Sequence, residues 1–257
     1  MAVDEVFLDL VSLPDAPRLT YLRFYTWKQP TLSIGYSQNA EKVVDLRFCQ
    51  NNGIDVVRRP TGGKAVLHDQ ELTYSIVSND PTHFPIHDIS KTYERIAAAL
   101  SLGLLQMGVQ TALAPARPNA VASTQKRGFP QKACFAASQH HEILWNGRKL
   151  IGSAQRRNRN SFLQHGSILI GFDSSLLAKA LASPGLVGLD SDVATLTECL
   201  GHKPHTQELL QNLVDGFSRC FNVSTKILMI DEELRLEIER KSLKRKNLVC
   251  GNGGKTA

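Results

Sequence analysis

The chain has 257 residues, 42% of them apolar and 21% charged, with a net charge of +6. That length fits one large domain, or one with a small appendage, and is ample for a sizeable core. No apolar run approaches the roughly 18 residues that cross a bilayer, the acidic start MAVDEVFLDLVS is unlike a secretory signal, and the mild charge demands no nucleic acid but suits an acidic partner protein, so a cytoplasmic protein without membrane or nucleic-acid partners is expected.

In chain order, Val3, Phe7, Leu8 and Val11 mark one face of a helix over residues 1–12, which Pro14 and Pro17 end. Residues 19–27 are rich in β-formers, and 31–36 is a second short strand. Residues 45–51 read as a short helix closed by Asn52-Gly53, and 54–59 returns to strand. A turn over 60–63 follows, then 65–67 and 71–78 as a paired set of strands. Residues 90–107 form the clearest helix, with Ser90 as N-cap and Tyr93, Ile96, Ala97, Leu100, Leu104 and Met107 on its inner face. Residues 115–132 are rich in Pro, Gly, Ser and Lys and are long for a passive connection, which points to a mobile functional loop. Strands over 135–145 and 149–156 flank Asn146-Gly147, a strong hairpin signal. A strand over 162–170 and a helix over 174–182 capped by Asp173 come next. A helix over 206–221 carries Leu209, Leu210, Leu213, Phe217 and Cys220 inward, and a charged helix spans 231–246, ending in the basic run Lys241–Lys246, before a disordered GNGGKTA tail. No internal repeat is visible. Strands concentrated in the first two thirds predict an α+β fold with a mixed, largely antiparallel sheet flanked by helices.

Four segments carry candidate chemistry. Arg58-Arg-Pro-Thr-Gly-Gly-Lys-Ala-Val-Leu-His-Asp69 places Arg59, Thr61, Gly62, Gly63, Lys64 and His68 around a turn whose glycines let backbone amides approach a ligand. A plain hairpin explains the Gly-Gly turn equally well, and alternation lets at most one of Arg58 and Arg59 face a site. In Lys149-Leu-Ile-Gly-Ser-Ala-Gln155, alternation puts Lys149, Ile151 and Ser153 on one face, with Gly152 and Ala154 between them. Lys149 is either a surface lysine beside the hairpin turn or a fixed cation that stabilises an oxyanion or a thiolate. The five cysteines are spread out with no CxxC pair and should be free thiols. Cys134, in Ala133-Cys-Phe-Ala-Ala-Ser138, follows Lys126, Arg127 and Lys132, a basic setting that favours thiolate. Cys199 and Cys220 read as structural, and Cys49 and Cys250 have no evident partner. In Leu163-Gln-His-Gly-Ser-Ile-Leu169, His165 reads as a satisfied core or edge residue or as a general base.

Together these segments resemble the lipoate and biotin protein ligase superfamily, over about residues 1–200. Arg58–Asp69 is similar to its first signature, and Lys149–Ala154 to the one with its essential lysine. Met1-Ala-Val-Asp-Glu5 and Leu22-Arg-Phe-Tyr-Thr-Trp27 also match. Ala133–Ser138, Gly152-Ser-Ala-Gln-Arg-Arg157 and Leu163–Leu169 look most like the cysteine-dependent octanoyl-[acyl carrier protein]:protein N-octanoyltransferases. The resemblance implies a catalytic domain like that of biotin protein ligases and class II aminoacyl-tRNA synthetases. It would span residues 1–250 as a single domain, with 200–246 as a C-terminal helical part. It implies Cys134 and Lys149 as catalytic, with Arg59, Thr61, Gly62, Gly63, Lys64, His68, Gly152, Ser153, Ala154 and His165 binding substrate. No cofactor or metal is expected. Octanoyl-acyl carrier protein would be the donor, and a glycine-cleavage H protein or E2 lipoyl domain the acceptor, for a monomeric enzyme. The sequence starts at the first helix, where the family has a preceding strand, and Lys64 stands where arginine or glycine is usual. An ATP-dependent lipoate ligase, an amidotransferase between lipoyl domains and a non-enzymatic lipoyl-domain binder are the competing readings.

Overall fold

The computed structural model describes the backbone of residues 1–114, 142–181 and 189–250, and their side chains up to residue 243 except that of residue 189. Expectations for the loop 115–132, for Cys134, for a strand over 135–141 and for the tail 251–257 lie outside the described residues. Helix α1 (Ala2–Val11) leads to β1 (Thr20–Tyr25) and β2 (Thr31–Ile34). Two short helices, α2 (Ala40–Val43) and α3 (Leu46–Asn51), precede β3 (Asp55–Arg58), β4 (Val66–His68) and β5 (Glu71–Ser78). Helix α4 (Ile89–Gln106) is followed by β6 (Ala112–Leu113), β7 (Ile143–Trp145), β8 (Arg148–Arg157) and β9 (Phe162–Leu169). Helices α5 (Ser174–Ala180), α6 (Leu196–Leu200), α7 (Thr206–Phe221) and α8 (Glu232–Cys250) complete the order.

The larger sheet has six strands in the order β1-β5-β9-β8-β7-β6, every neighbouring pair antiparallel. A three-stranded sheet, β3-β2-β4, has β2 parallel to β3 and antiparallel to β4. The fold is therefore α+β with mixed, largely antiparallel sheets, as the sequence leads one to expect. One pairing differs. The strands expected as a set over 65–67 and 71–78 lie in different sheets: β4 pairs with β2, whereas β5 pairs with β1 and β9. Every residue of β5 is buried, so it needs neighbours along both edges and cover on both faces, which the three-residue β4 cannot supply.

The alternation of β5 separates two environments. Leu72, Tyr74 and Ile76 join Ile168 of β9 and the inner faces of α4 and α7 in the main core. The other face of the sheet meets α1 through Val77, Leu163, Phe7 and Leu8. The small sheet splits in the same way. Leu32, Ile34 and Leu67 pack with Cys49 and Leu177 in a second core, while Ser33 and His68 face back toward the large sheet. Helix α8 lies along α1, with Leu234 against its apolar face and Lys241 paired with Asp9. Among the described residues no helix is long and apolar enough to cross a membrane.

Local signals account for the helix ends. Asp88, not Ser90, caps α4, its carboxylate accepting from the Lys91 amide at 3.0 Å. Ser90 already lies inside the first turn, whereas Asp88 has the extended backbone a cap requires. Asp173 caps α5 as expected. Asn146 and Gly147 both have positive φ, 48° and 78°, the geometry of a two-residue hairpin turn. On α7, Leu209, Leu213 and Phe217 are buried, but Leu210 is half-buried and Cys220 is exposed. The inward position is filled instead by Gly216, where α7 meets Gly103 of α4 backbone to backbone. A Cβ on Gly216 would stand 2.5 Å from the Ala99 carbonyl oxygen and 2.6 Å from the Gly103 nitrogen.

Gly216→Ala must push the two helices apart. It is expected to destabilise the protein by about 1–3 kcal/mol, the usual range for overpacking, seen as a lower urea midpoint at unchanged slope.

Candidate active site

The segments Ser33-Ile34-Gly35 and Arg58–His68 bring β2, the end of β3 and β4 to the cavity between the two sheets. Strand β3 ends at Arg58, and the next residue, Arg59, turns inward and is buried. Its Nη1 donates to the Ser33 carbonyl at 3.0 Å, Nε and Nη2 donate to the Gly62 carbonyl at 3.2 and 2.7 Å, and Nη2 donates to the Lys64 carbonyl at 2.6 Å. Arg59 thus clamps the 60–64 loop onto β2. Arg58 points the other way and donates to the carbonyls of Gly35, Tyr36 and Gln38. Gly63 sits at φ +93°, and its carbonyl oxygen passes 2.0 Å from where a Cβ on Gly35 would be. Thr61 docks the loop on the large sheet, its Oγ1 2.7 Å from His165 Nε2.

A chain of buried polar contacts runs on from Arg59. Ser33 Oγ accepts from Arg59 Nη1 at 3.3 Å and lies 2.8 Å from His68 Nε2. His68 Nδ1 is 3.1 Å from Glu71 Oε1. With the proton on Nδ1, every bond in this chain points from Arg59 toward Glu71, a tautomer assigned from the network. Thr73 Oγ1 donates to Glu71 at 2.5 Å, Ser167 Oγ donates to its other oxygen, and Trp27 Nε1 donates to Thr73 at 2.9 Å. The Trp27 ring stacks on His68 with centroids 4.5 Å apart.

The cavity between the sheets is lined by Arg59, His68, Lys149, Gly152, Ser153, Ala154 and His165 among the residues the sequence singles out. Thr61, Gly62, Gly63 and Lys64 stand behind it and hold the loop through the contacts already given. Lys149 is buried, and its Nζ donates to Glu142 Oε1 of the residue preceding β7. It is therefore no surface hairpin lysine. Nor does it share a face with Ile151 and Ser153. Leu144 faces Lys149 across the hairpin but Ile143 faces Ile151, so Leu150 is an extra residue in β8. Beyond this bulge the alternation is offset: Ile151 lies in the main core and Ser153 Oγ bonds Tyr74 at 2.6 Å, while Lys149 enters the cavity. The Lys149 backbone is held by Asp192 and Ala194, which pair with it at the bulge.

Sequence reading missed Ser33, Thr73, Ser167, Glu71 and Glu142. Thr73 and Ser167 carry a usable signal, polar residues at period two in otherwise apolar strands. Glu142 carries none, because its pairing depends on the bulge.

Burial drives the pKa shifts. It pushes His165 down to about 3, with Asp4 opposing and Arg59 adding to the effect, so the ring is neutral. Its Nδ1 has no hydrogen-bond partner among the described residues. Burial also opposes ionisation of Asp4, but the chain's amino terminus and Arg23 outweigh it and hold the carboxyl at about 2. Burial raises Cys49 and Cys199 to about 11 and raises Cys220 as well, which keeps these thiols protonated and poor nucleophiles. Cys134 lies outside the described residues, and among those described no group of three or more His, Cys, Asp or Glu could hold a metal.

Residues 1–218 match the lipoyl protein ligase A/B catalytic domain. The chain is 37% identical to "Octanoyltransferase LipM" of Moorella thermoacetica over 87% of its own length and 82% of that protein. It is 40% identical to the protein of the same name from Kyrpidia tusciae, covering 86% and 81%. Among solved structures, a putative lipoate protein ligase from T. acidophilum with bound lipoic acid aligns with TM-score 0.71 and 25% identity, over 95% of this chain and 88% of that one.

Arg59→Lys keeps the charge but loses the fork that reaches both Gly62 and Lys64. Faster amide hydrogen exchange over residues 61–65 is expected, together with a stability loss of about 1–3 kcal/mol. His165 adds a pH signature. Its folded pKa lies below its unfolded value of 6.5, so the unfolded chain binds the extra proton between pH 6.5 and 3. Stability should fall as pH drops through that window, by up to about 1.4 kcal/mol per unit from this residue. Denaturant titrations across the window should show a shallower fall in His165→Gln.

Proposed function

Because the chain belongs to the lipoyl protein ligase A/B catalytic-domain family, we propose that it is an octanoyltransferase of lipoyl-cofactor assembly that draws its acyl group from octanoyl-acyl carrier protein onto Cys134. The acceptor is a lysine of a glycine-cleavage H protein or an E2 lipoyl domain. The enzyme works in the cytoplasm as a monomer, with residues 1–250 as one catalytic domain. The observation that carries this reading is the buried Lys149 ammonium, lining a cavity beside Gly152 and Ala154.

Chain connectivity supports the pairing of Cys134 with that cavity. The Ala114 amide donates to the Glu142 carbonyl at 2.8 Å, so the chain leaves and re-enters at one place. Glu142 contacts Lys149, and Cys134 precedes it by eight residues. Eight extended residues span at most about 29 Å, a distance that the pairing of this thiol with the lysine must not exceed.

In the first step the Cys134 thiolate adds to the thioester carbonyl. The carbonyl electron pair moves onto oxygen, and its return expels the carrier thiolate, leaving octanoyl on Cys134. In the second, the acceptor amine adds to this new thioester and expels the Cys134 thiolate, which takes up the proton lost by nitrogen. Lys149 holds the acyl oxygen as it gains charge. Arg59, the 60–64 loop, His68 and His165 shape the acyl site, and each methylene buried there contributes roughly 0.8 kcal/mol. Thiol exchange is near thermoneutral and amide formation drives the sequence, so ATP is not required.

Intact mass spectrometry tests the assignment. Wild-type protein incubated with octanoyl-acyl carrier protein and no ATP should gain one octanoyl group and lose it to an added lipoyl domain, while Cys134→Ala should gain none. Robust lipoyl-domain acylation by Cys134→Ala from ATP and free octanoate would establish the ligase reading instead. Loading only from octanoyl-H protein would establish the amidotransferase.

A further inference from the structure

We infer that His165 is a ligand-directed hydrogen-bond donor, its Nδ1–H meeting an uncharged carbonyl oxygen of the acyl substrate in the cavity between the sheets. The inference rests on the octanoyltransferase reading for the identity of that ligand, and it gives one ring atom a partner.

Among the described residues, His165 Nδ1 is the one buried side-chain polar atom left without a hydrogen-bond partner. Buried polar groups of folded proteins are almost always paired, so an orphan on a cavity wall marks the place of a ligand atom. The ring is buried and lines the cavity, with Ala154 opposite it on β8 and Ser75 opposite it on β5. Its other nitrogen is committed. Nε2 lies 2.7 Å from Oγ1 of Thr61, which is itself buried and makes no other side-chain hydrogen bond among the described residues.

Counting protons gives the tautomer. Burial leaves the ring neutral, with a pKa of about 3, so it carries a single N–H. With that proton on Nε2, the ring would donate to Thr61. The Thr61 hydroxyl hydrogen and the Nδ1 lone pair would then both be buried without partners. With Thr61 donating to Nε2, both of those groups are met, and only the Nδ1–H remains. One unmet group costs less than two, so the network assigns the proton to Nδ1. Thr61 thus docks its loop and sets the ring to donate.

The chemistry of the acceptor follows from the surroundings. The burial that keeps the ring uncharged also penalises a bare anion placed against it. Charges of both signs act on the ring, Asp4 against Arg59 and His68. An uncharged carbonyl oxygen is the acceptor that meets neither objection. A thioester-linked acyl group offers one such oxygen, and the amides of a carrier's pantetheine arm offer others. A neutral imidazole N–H polarises a carbonyl without giving up its proton.

Nitrogen-labelled histidine in the full-length protein reads the tautomer directly. Long-range proton–nitrogen correlation should show Nδ1 of His165 protonated and Nε2 unprotonated, the signal being identified by its loss in His165→Gln. Octanamide should move the Nδ1–H proton downfield. Pantetheine is added separately, and a shift with it alone would place the contact at an amide of the carrier arm, keeping the donor and naming its acceptor. A proton on Nε2, or an Nδ1–H that neither probe moves, would overturn the inference. The side-chain amide reaches the Nδ1 position in His165→Asn and the Nε2 position in His165→Gln. The probe that moves the proton should therefore bind the Asn variant within about threefold of wild type and the Gln variant about tenfold more weakly. The reverse order would show that the ring only docks the 60–64 loop, and would also overturn the inference. The tautomer and the probe shift are read on wild-type protein, so a variant that fails to fold leaves the test standing. Failure of the functional reading shows separately, as wild-type protein that octanoyl-acyl carrier protein never octanoylates.

Discussion

The whole molecule is organised by the period of two along β5 and β9. Successive side chains point to opposite faces of a strand, and in β5 that alternation reads Leu72, Tyr74, Ile76 on one side and Glu71, Thr73, Ser75 on the other. The first set closes the main core against α4 and α7. The second set, with His165 and Ser167 of β9, faces the small sheet and α1. Core and site are therefore two faces of one pair of strands, and a one-residue slip in their register would bury the polar set in the main core. The fully buried character of both strands makes such a slip costly.

The site face is expensive. Asp4, Arg59, Glu71, Glu142 and Lys149 are all nearly removed from solvent. Buried ion pairs add little stability relative to apolar side chains of similar size, and breaking one leaves an uncompensated charge. Here each charge has a partner: Asp4 with Arg23, Glu71 with its hydroxyl and imidazole donors, Arg59 with backbone carbonyls, Lys149 with Glu142. The apolar cores must offset that expense, and α4 and α7 meet backbone to backbone at Gly103 and Gly216. The result is a rigid wall, in which Arg59 holds the 60–64 loop and Thr61 ties that loop to β9.

Much of this was legible in the residues. Helix α4, the Asn146-Gly147 hairpin, the Asp173 cap and the Leu209, Leu213 and Phe217 positions of α7 all follow from local chemistry. Arg59, His68, Lys149, Gly152, Ser153, Ala154 and His165 were singled out from their segments and line one cavity. What local reading could not supply was partnership. Strand β4 looks like a hairpin mate of β5 because the two are adjacent in sequence, yet the Asp69-Gln70 link carries the chain from one sheet to the other. Cys220 continues an apolar helix face, yet the face is occupied by Gly216, because backbone approach to α4 requires a residue without a side chain. Arg59 reads as a ligand-facing cation, yet it also donates to the carbonyls of Gly62 and Lys64 in its own loop and to Ser33 of β2.

Lys149 shows why such errors cluster at the site. Strict alternation assigns it to the face of Ile151, which is the main core, where an ammonium would be ruinous. The extra residue at Leu150 shifts the strand by one position and turns the lysine to the cavity side. Glu142 then meets it from the neighbouring strand end, at the point where residues 115–141 rejoin the sheet. The bulge interrupts the regular register between β7 and β8, while the Lys149 backbone bonds Asp192 and Ala194. The irregularity is what sets the Lys149 side chain on the cavity side. The placement of Lys149 is thus the step at which the demands of folding and of chemistry diverge in this chain.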